Sequence, residues 1–239
     1  MGGQMDIAFT VFKVSELTES DDSQKLEEGL IRVINRGYDK PRFKYNLIKT
    51  PRIKVGLVRD LKLTDTRESY LGVVYVKTHE GVENGHDASS LTSQFMALGQ
   101  FDLAHIKPTG TFFELSETLL KEYETGKTCI LGTIGIKPYK SVASSYELTA
   151  FTSFYPRLGE VLINQIESLA KKLGAKNIFA SVITDHFLVD YYAKHDYIVE
   201  TRVLCKVDPQ TGFVISDDLE DSIEASKDFE LALLRKTLV

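Results

Sequence analysis

The chain has 239 residues, 43% of them hydrophobic and 26% charged, with a formal net charge of −5. Length and composition fit one well-buried globular domain or two small ones. No apolar run approaches the roughly 18 residues of a membrane span, and the net negative charge speaks against a general nucleic-acid binder, which needs a basic face to neutralise phosphates.

Residues 6–14 (DIAFTVFKV) are β-branched and aromatic and read as a first strand. A helix follows from a cap near Ser20 to about Arg36, with Leu26, Leu30, Val33 and Ile34 on one face and Gly37 as its left-handed stop. Residues 38–64 hold two prolines and read as loop plus a short helix. Residues 38–62 also gather Lys40, Arg42, Lys44, Lys49, Arg52, Lys54, Arg59 and Lys62 against Asp39 and Asp60. Such a run is either solvated surface or one wall of a binding cleft. Residues 70–77 (YLGVVYVK) are strand-like, residues 79–110 are a polar insertion, and Ser116 can cap a short helix through Tyr123.

The second half is more regular. Residues 129–136 and 146–154 read as strands joined by a turn. Residues 159–173 form the clearest helix, with Val161, Leu162, Ile166, Leu169, Ala170 and Leu173 in one stripe and Gly174 as its stop. Residues 177–184 are a strand, and Asp185 caps a helix to about His195. Residues 198–207 and 229–238 are the last strands, separated by an acidic segment over 216–230. The strands on either side of the helix over 159–173 should be parallel neighbours, because a helical crossover joins parallel strands. Cys129 and Cys205 lie far apart in apolar surroundings and read as buried, reduced thiols. The N-terminus lacks a basic region followed by an apolar stretch, and Asp6 stands where a myristoylation signal needs Ser or Thr. The expectation is an intracellular protein, cytoplasmic and also nuclear if its source is eukaryotic.

Two places can carry chemistry. A helix that starts directly after a strand offers free N–H groups and a positive dipole end to a phosphate. Gly159 stands at such a start, serving either phosphate approach or close packing. The run over 185–197 is rich in tyrosine, which serves either as core or, near a leaving thiolate, as a proton donor. His186 is either surface or an acid–base group at a cleft mouth. His79 and His86 have no ligand partners at zinc-like spacing, so no metal is expected.

The second half resembles the GCN5-related N-acetyltransferases (GNAT). That family carries the pattern Asn-x-x-Ala-x-x-x-Tyr-x-x-x-Gly-Phe. Here Asp185, Leu188, Tyr192, Asp196 and Tyr197 fall on its five positions, with the tyrosine and the aromatic pair kept. Glu147-Leu148 opens its strand as the family's Glu-Leu or Glu-Ile does, and 173–178 is similar to the family's helix-to-strand junction. The family's phosphate loop, Arg or Gln-x-x-Gly-x-Gly or Ala, falls on Phe154, Arg157 and Gly159, so only the last position matches and the loop is degenerate.

The resemblance covers residues 129–203 and implies an α+β fold with a mixed, mostly antiparallel sheet, a splayed parallel strand pair and flanking helices. It implies one domain over 1–239, with its core at 129–239, an N-terminal strand and helix at 6–37 and the insertion at 79–110. It implies acetyl-CoA as co-substrate, held by Phe151, Thr152, Ser153, Phe154, Arg157, Leu158, Gly159, Glu160, Asp185, Leu188 and Tyr191. Tyr192 would serve as the acid and Glu147 as the base in acetyl transfer to a primary amine of a small molecule or protein. No metal, nucleic acid or membrane takes part, and the protein would be a monomer or homodimer. The degenerate loop motivates a second expectation, a binding or regulatory module of the same fold with weakened catalysis. A third is a nucleotide-binding α/β protein of another class.

Overall fold

Strand β1 (Asp6–Lys13) alternates as its sequence requires, with Ile7, Phe9 and Val11 entering one core and Phe12 the other. The computed structural model describes residues 6–18, 23–77, 130–215, 219 and 223–238. After β1 come α1 (Val14–Thr18), α2 (Ser23–Tyr45), α3 (Leu57–Asp60) and β2 (Tyr70–Lys77). Next are β3 (Ile130–Pro138), β4 (Ser145–Ser153), α4 (Leu158–Lys172) and β5 (Asn177–Ile183). A 3₁₀ turn (Thr184–His186), α5 (Val189–Ala193), β6 (Ile198–Val207), β7 (Val214–Ile215) and β8 (Phe229–Thr237) complete the described elements.

The strands form one mixed sheet in the order β1-β2-β3-β4-β5-β8-β6-β7. This is the mixed α+β architecture expected from the sequence. Among the described strands only β4 and β5 are parallel, joined by α4 crossing over one face. Their ladder is three pairs long: Ser145↔Asn177, Tyr146↔Ile178 and Glu147↔Phe179. Beyond it β4 stays on β3 as far as Ser153, and β5 stays on β8 as far as Ile183. The sheet therefore forks after Glu147 and Phe179.

Helices cover both faces. The apolar stripe of α4 buries Val161, Leu162, Ile166 and Leu169 against one face, at about 1.5–3 kcal/mol per fully buried side chain. On the other face α2 buries Leu30, Val33 and Ile34 together with Leu57 of α3. Asn35 ties α2 to the following segment, donating to the Ile53 carbonyl at 2.9 Å and accepting from its N–H at 2.8 Å.

Four expectations need correction. First, α2 does not stop at Gly37; it runs through Gly37 and Pro41 to Tyr45. The glycine serves contact instead, because a Cβ there would lie 2.5 Å from Thr152 Cβ. Second, Asp185 caps no helix. It lies in the 3₁₀ turn, and Phe187 then takes a left-handed conformation (φ 58°), which separates that turn from the five-residue α5. Third, the acidic segment is preceded by a short strand, β7, paired to the end of β6. Fourth, the helix in the second half begins at Leu158, with Arg157 in left-handed conformation (φ 65°) at its N-cap. Cys205 is free and buried. The insertion at 79–110, the helix expected from Ser116, Cys129, and Asp217, Asp218, Glu220 and Asp221 lie outside the described residues. No helix among the described residues is long and apolar enough to cross a membrane.

Candidate active site

Beyond the fork, β4 carries an extra residue. Thr149 pairs with Gly135 and Thr152 with Thr133, so Ala150 and Phe151 together oppose Ile134. That is a β-bulge, and Ala150 pays for it with a left-handed φ of 49°. The bulge reverses the facing of the strand. Leu148 lies in the α4-side core, whereas Ala150 lies in the α2-side core and Phe154 packs against it. Phe151 turns to the α4 side. A threonine pair clamps the distortion. Thr133 Oγ1 donates to the Ala150 carbonyl at 2.6 Å and lies 2.8 Å from Thr152 Oγ1, which accepts the Thr133 N–H at 3.2 Å.

Tyr192, on α5, is buried with 5% of its surface exposed. Its ring packs edge-on against Phe151 beyond the fork (6.3 Å), Tyr191 (5.6 Å) and Tyr197 (5.2 Å). Burial raises its pKa well above the ordinary tyrosine value, and the neighbouring Tyr38 and Tyr191 add to the rise. The phenol therefore stays protonated near neutral pH and has a proton to donate. Glu147 is the last β4 residue on the parallel ladder. Its carboxylate accepts from Ser181 Oγ of β5 at 3.2 Å, across the start of the fork, and pairs with Lys137 at 3.4 Å.

At the end of β4, Thr152 is buried beneath Gly37, while Ser153 is exposed and donates to the Tyr155 carbonyl at 3.0 Å. Leu158 is fully buried, and Arg157 and Glu160 are exposed. Gly159 is buried, and a Cβ on it would lie 2.5 Å from Tyr191 Oη and 3.3 Å from Phe151. The missing side chain thus makes room for Tyr191, whose hydroxyl stands over the first turn of α4. Burial and then the charge of Glu160 push that hydroxyl up to about 12. Asp185 pairs with Lys227 at 2.8 Å, and Leu188, 38% exposed, precedes α5. His186 stacks on Tyr45 with ring centroids 5.1 Å apart, and burial lowers its pKa against the opposing charge of Asp185. The structure thus gathers Phe151, Gly159, Tyr191 and Tyr192 on the α4 face and puts Thr152 and Phe154 on the α2 face.

Sequence reasoning named Lys40 in the basic run and Ser153 and Phe154 at the cofactor, but it missed Arg36 and Gly37 as site residues and did not bring the five together. Arg36, Gly37, Lys40, Ser153 and Phe154 line a cavity of about 240 Å³ between α2 and the end of β4. The signal that could have found it is the spacing of Arg36 and Lys40, four residues apart and hence on one helix face.

The family profile of the sporulation protein RMD6 matches residues 1–238. The chain belongs to the RMD6 family. One relative is the sporulation protein RMD6 of Saccharomyces cerevisiae, strain S288c. It is 28% identical over 229 residues, covering 91% of this chain and 90% of that protein. Among solved structures, an acyl-CoA N-acyltransferase from Pseudomonas aeruginosa is similar at a TM-score of 0.47 and 8% identity, covering 97% of this chain and 100% of the other. An acetyltransferase of the GNAT family from Staphylococcus aureus Mu50 is similar at a TM-score of 0.43 and 11% identity, covering 97% and 100%. At such TM-scores neither likeness bears on what this RMD6-family chain does.

Proposed function

We propose that this RMD6-family protein is an acetyl-CoA-dependent N-acetyltransferase of the GNAT type, built as one domain. The observation that carries the reading is the fork itself: a parallel pair held for three residues and then parted, with a bulge in β4 just past the opening and Tyr192 packed beside it. An extended pantetheine arm needs such a gap, because it can then hydrogen-bond to freed β4 backbone as a strand would.

In this reading a primary amine of a small molecule or protein attacks the thioester carbonyl directly. The N–C bond forms, the carbonyl oxygen gains negative charge, and the C–S bond breaks as that charge returns. Backbone N–H groups at the bulge polarise the carbonyl. The Tyr192 hydroxyl donates to the departing sulfur. A phenol, with a pKa of about 10, is already a weaker acid than an ordinary thiol at about 8.5, and burial weakens it further, so its contribution is a hydrogen bond to the thiolate more than full proton transfer. Glu147, through water, takes the proton lost by the amine. Arg157 and the α2 side of the site meet the anionic part of the cofactor. No step calls for a metal.

A specific observation favours a second reading, a module of the same fold with weakened catalysis: Tyr191 Oη stands over Gly159, where a pyrophosphate would approach the helix. Release of free CoA thiol, followed with a chromogenic thiol reagent across a panel of amines, separates the two. The first reading expects amine-dependent release, with Tyr192→Phe lowering kcat by about 10- to 100-fold, the worth of one hydrogen bond to a charged group, at unchanged CoA affinity. Binding of CoA with no release on any amine supports the second. Equal kcat in Tyr192→Phe removes that residue from the mechanism.

A further inference from the structure

The cavity between α2 and the end of β4 has the composition of an anion site. Arg36 and Lys40 stand one helical turn apart beside it, and Ser153 supplies an exposed hydroxyl. The Arg36 guanidinium lies over the Phe154 ring, 5.6 Å from its centroid, which orients the planar fork. Among the described residues no carboxylate neutralises either cation. The nearest candidate in sequence, Asp39, is engaged by Arg42 at 2.8 Å. Gly37 lets the α2 backbone close onto Thr152, so both cations are carried to the rim of the β4 strand that leads out of the fork. On the opposite face Tyr191 Oη occupies the space that a Cβ on Gly159, in the first turn of α4, would fill. A phosphate arriving along β4 thus meets a phenol on one side and two unneutralised cations on the other.

We infer that this cavity is a phosphate-binding site whose cations are Arg36 and Lys40, and that it holds the phosphates of acyl-CoA on the α2 face in place of the α4 N-terminus. The second half of this inference rests on the acetyl-CoA reading. The first half stands on the cavity alone. The same chemistry would accept a phosphate on the amine acceptor, and the ligand series below tells the two sources apart.

The experiment titrates the full chain, wild type and R36A/K40A, with inorganic pyrophosphate, CoA, dephospho-CoA and pantetheine by calorimetry. R36K/K40R serves as a second variant that keeps both charges. Both side chains are partly or fully solvent-facing, and equal unfolding midpoints confirm that the fold is intact. The expected result is pyrophosphate binding that weakens with added salt and drops about tenfold for each cation removed, with R36K/K40R between wild type and R36A/K40A because it keeps both charges and loses the stacked guanidinium. CoA should lose affinity in parallel, and pantetheine should be indifferent to the substitutions. Pyrophosphate binding of equal strength to wild type and R36A/K40A overturns the site. CoA binding that is strong and equal in both overturns the assignment of its phosphates to this cavity and leaves the acetyl-CoA reading standing. Pyrophosphate binding lost in R36A/K40A, with no CoA binding to wild type, keeps the site for a phosphorylated acceptor and sinks the acetyl-CoA reading.

Discussion

Replacing Gly37 by Ala should destabilise the protein, against the usual trend for helices. In an exposed helix interior the change from Gly to Ala is worth about 0.8–1 kcal/mol in favour of Ala. Here the added methyl would lie 2.5 Å from Thr152 Cβ, where carbon atoms prefer about 3.5–4.0 Å. The obstructing atom is fixed to the β4 backbone, so it cannot swing aside like the tip of a long side chain. Either α2 backs off by roughly 1 Å or the bulged strand shifts, and overpacking of that kind costs about 1–3 kcal/mol. The net expectation is a loss of about 1 kcal/mol, or some 2–4 °C in melting temperature at this chain length. Urea unfolding of the two proteins at pH 7 measures it through the midpoint at constant slope. Because Thr152 also belongs to the clamp on the bulge, any acetyl-transfer rate should fall further than stability does. A Gly37→Ala variant as stable as wild type, or more so, would refute the claim that close contact explains this glycine.

Thr133→Val removes the hydroxyl that donates to the Ala150 carbonyl. It should cost about 1–2 kcal/mol in chemical denaturation and lower turnover by relaxing the bulge. Asp60 is buried, which by itself raises its pKa. The N–H groups of Val55, Lys54 and Gly56 outweigh that and hold it below the usual carboxylate range. A folded pKa below the unfolded one means a stabilisation fully present above about pH 4 that is lost as pH falls through the folded value. Asp60→Asn should therefore cost about 1–3 kcal/mol at pH 7 and flatten the acid side of a stability-versus-pH curve. Glu167, 7% exposed, pairs with Lys236 at 2.7 Å. Glu167→Ala should cost about 3 kcal/mol, because it leaves the Lys236 ammonium only the exposed Asp196 carboxylate at 3.9 Å, while Glu167→Met with Lys236→Met should recover most of it in a double-mutant cycle.

The second half of the fold was legible because its signals are local and repeated. The apolar stripe of α4 sets the helix, the helix sets the parallel β4–β5 pair, and the alternation of Ile178, Ala180 and Val182 sets the buried face of β5. The bulge was not legible. Strict alternation puts Leu148, Ala150, Thr152 and Phe154 on one face, and only the paired register with β3 reveals the added residue that turns the last three over. Gly37 read as a helix stop because a glycine followed by Pro41 has that local signature. Its partner, Thr152, is 115 positions away by residue number, and no local pattern carries such a contact. The same long-range packing explains Gly159, where Tyr191 from α5 occupies the room the glycine leaves. The run of residues over 185–197 holds only a five-residue helix in place of the longer one expected, since the left-handed Phe187 divides it.

The most direct test of the acetyl-CoA reading is thermal unfolding of the full chain in a titration with acetyl-CoA. A ligand that binds only the native state at 100 times its Kd adds about 2.7 kcal/mol. At this chain length that corresponds to a rise of roughly 5–10 °C in Tm. The account predicts a saturable rise of that order. An unchanged melting temperature at millimolar acetyl-CoA would contradict it.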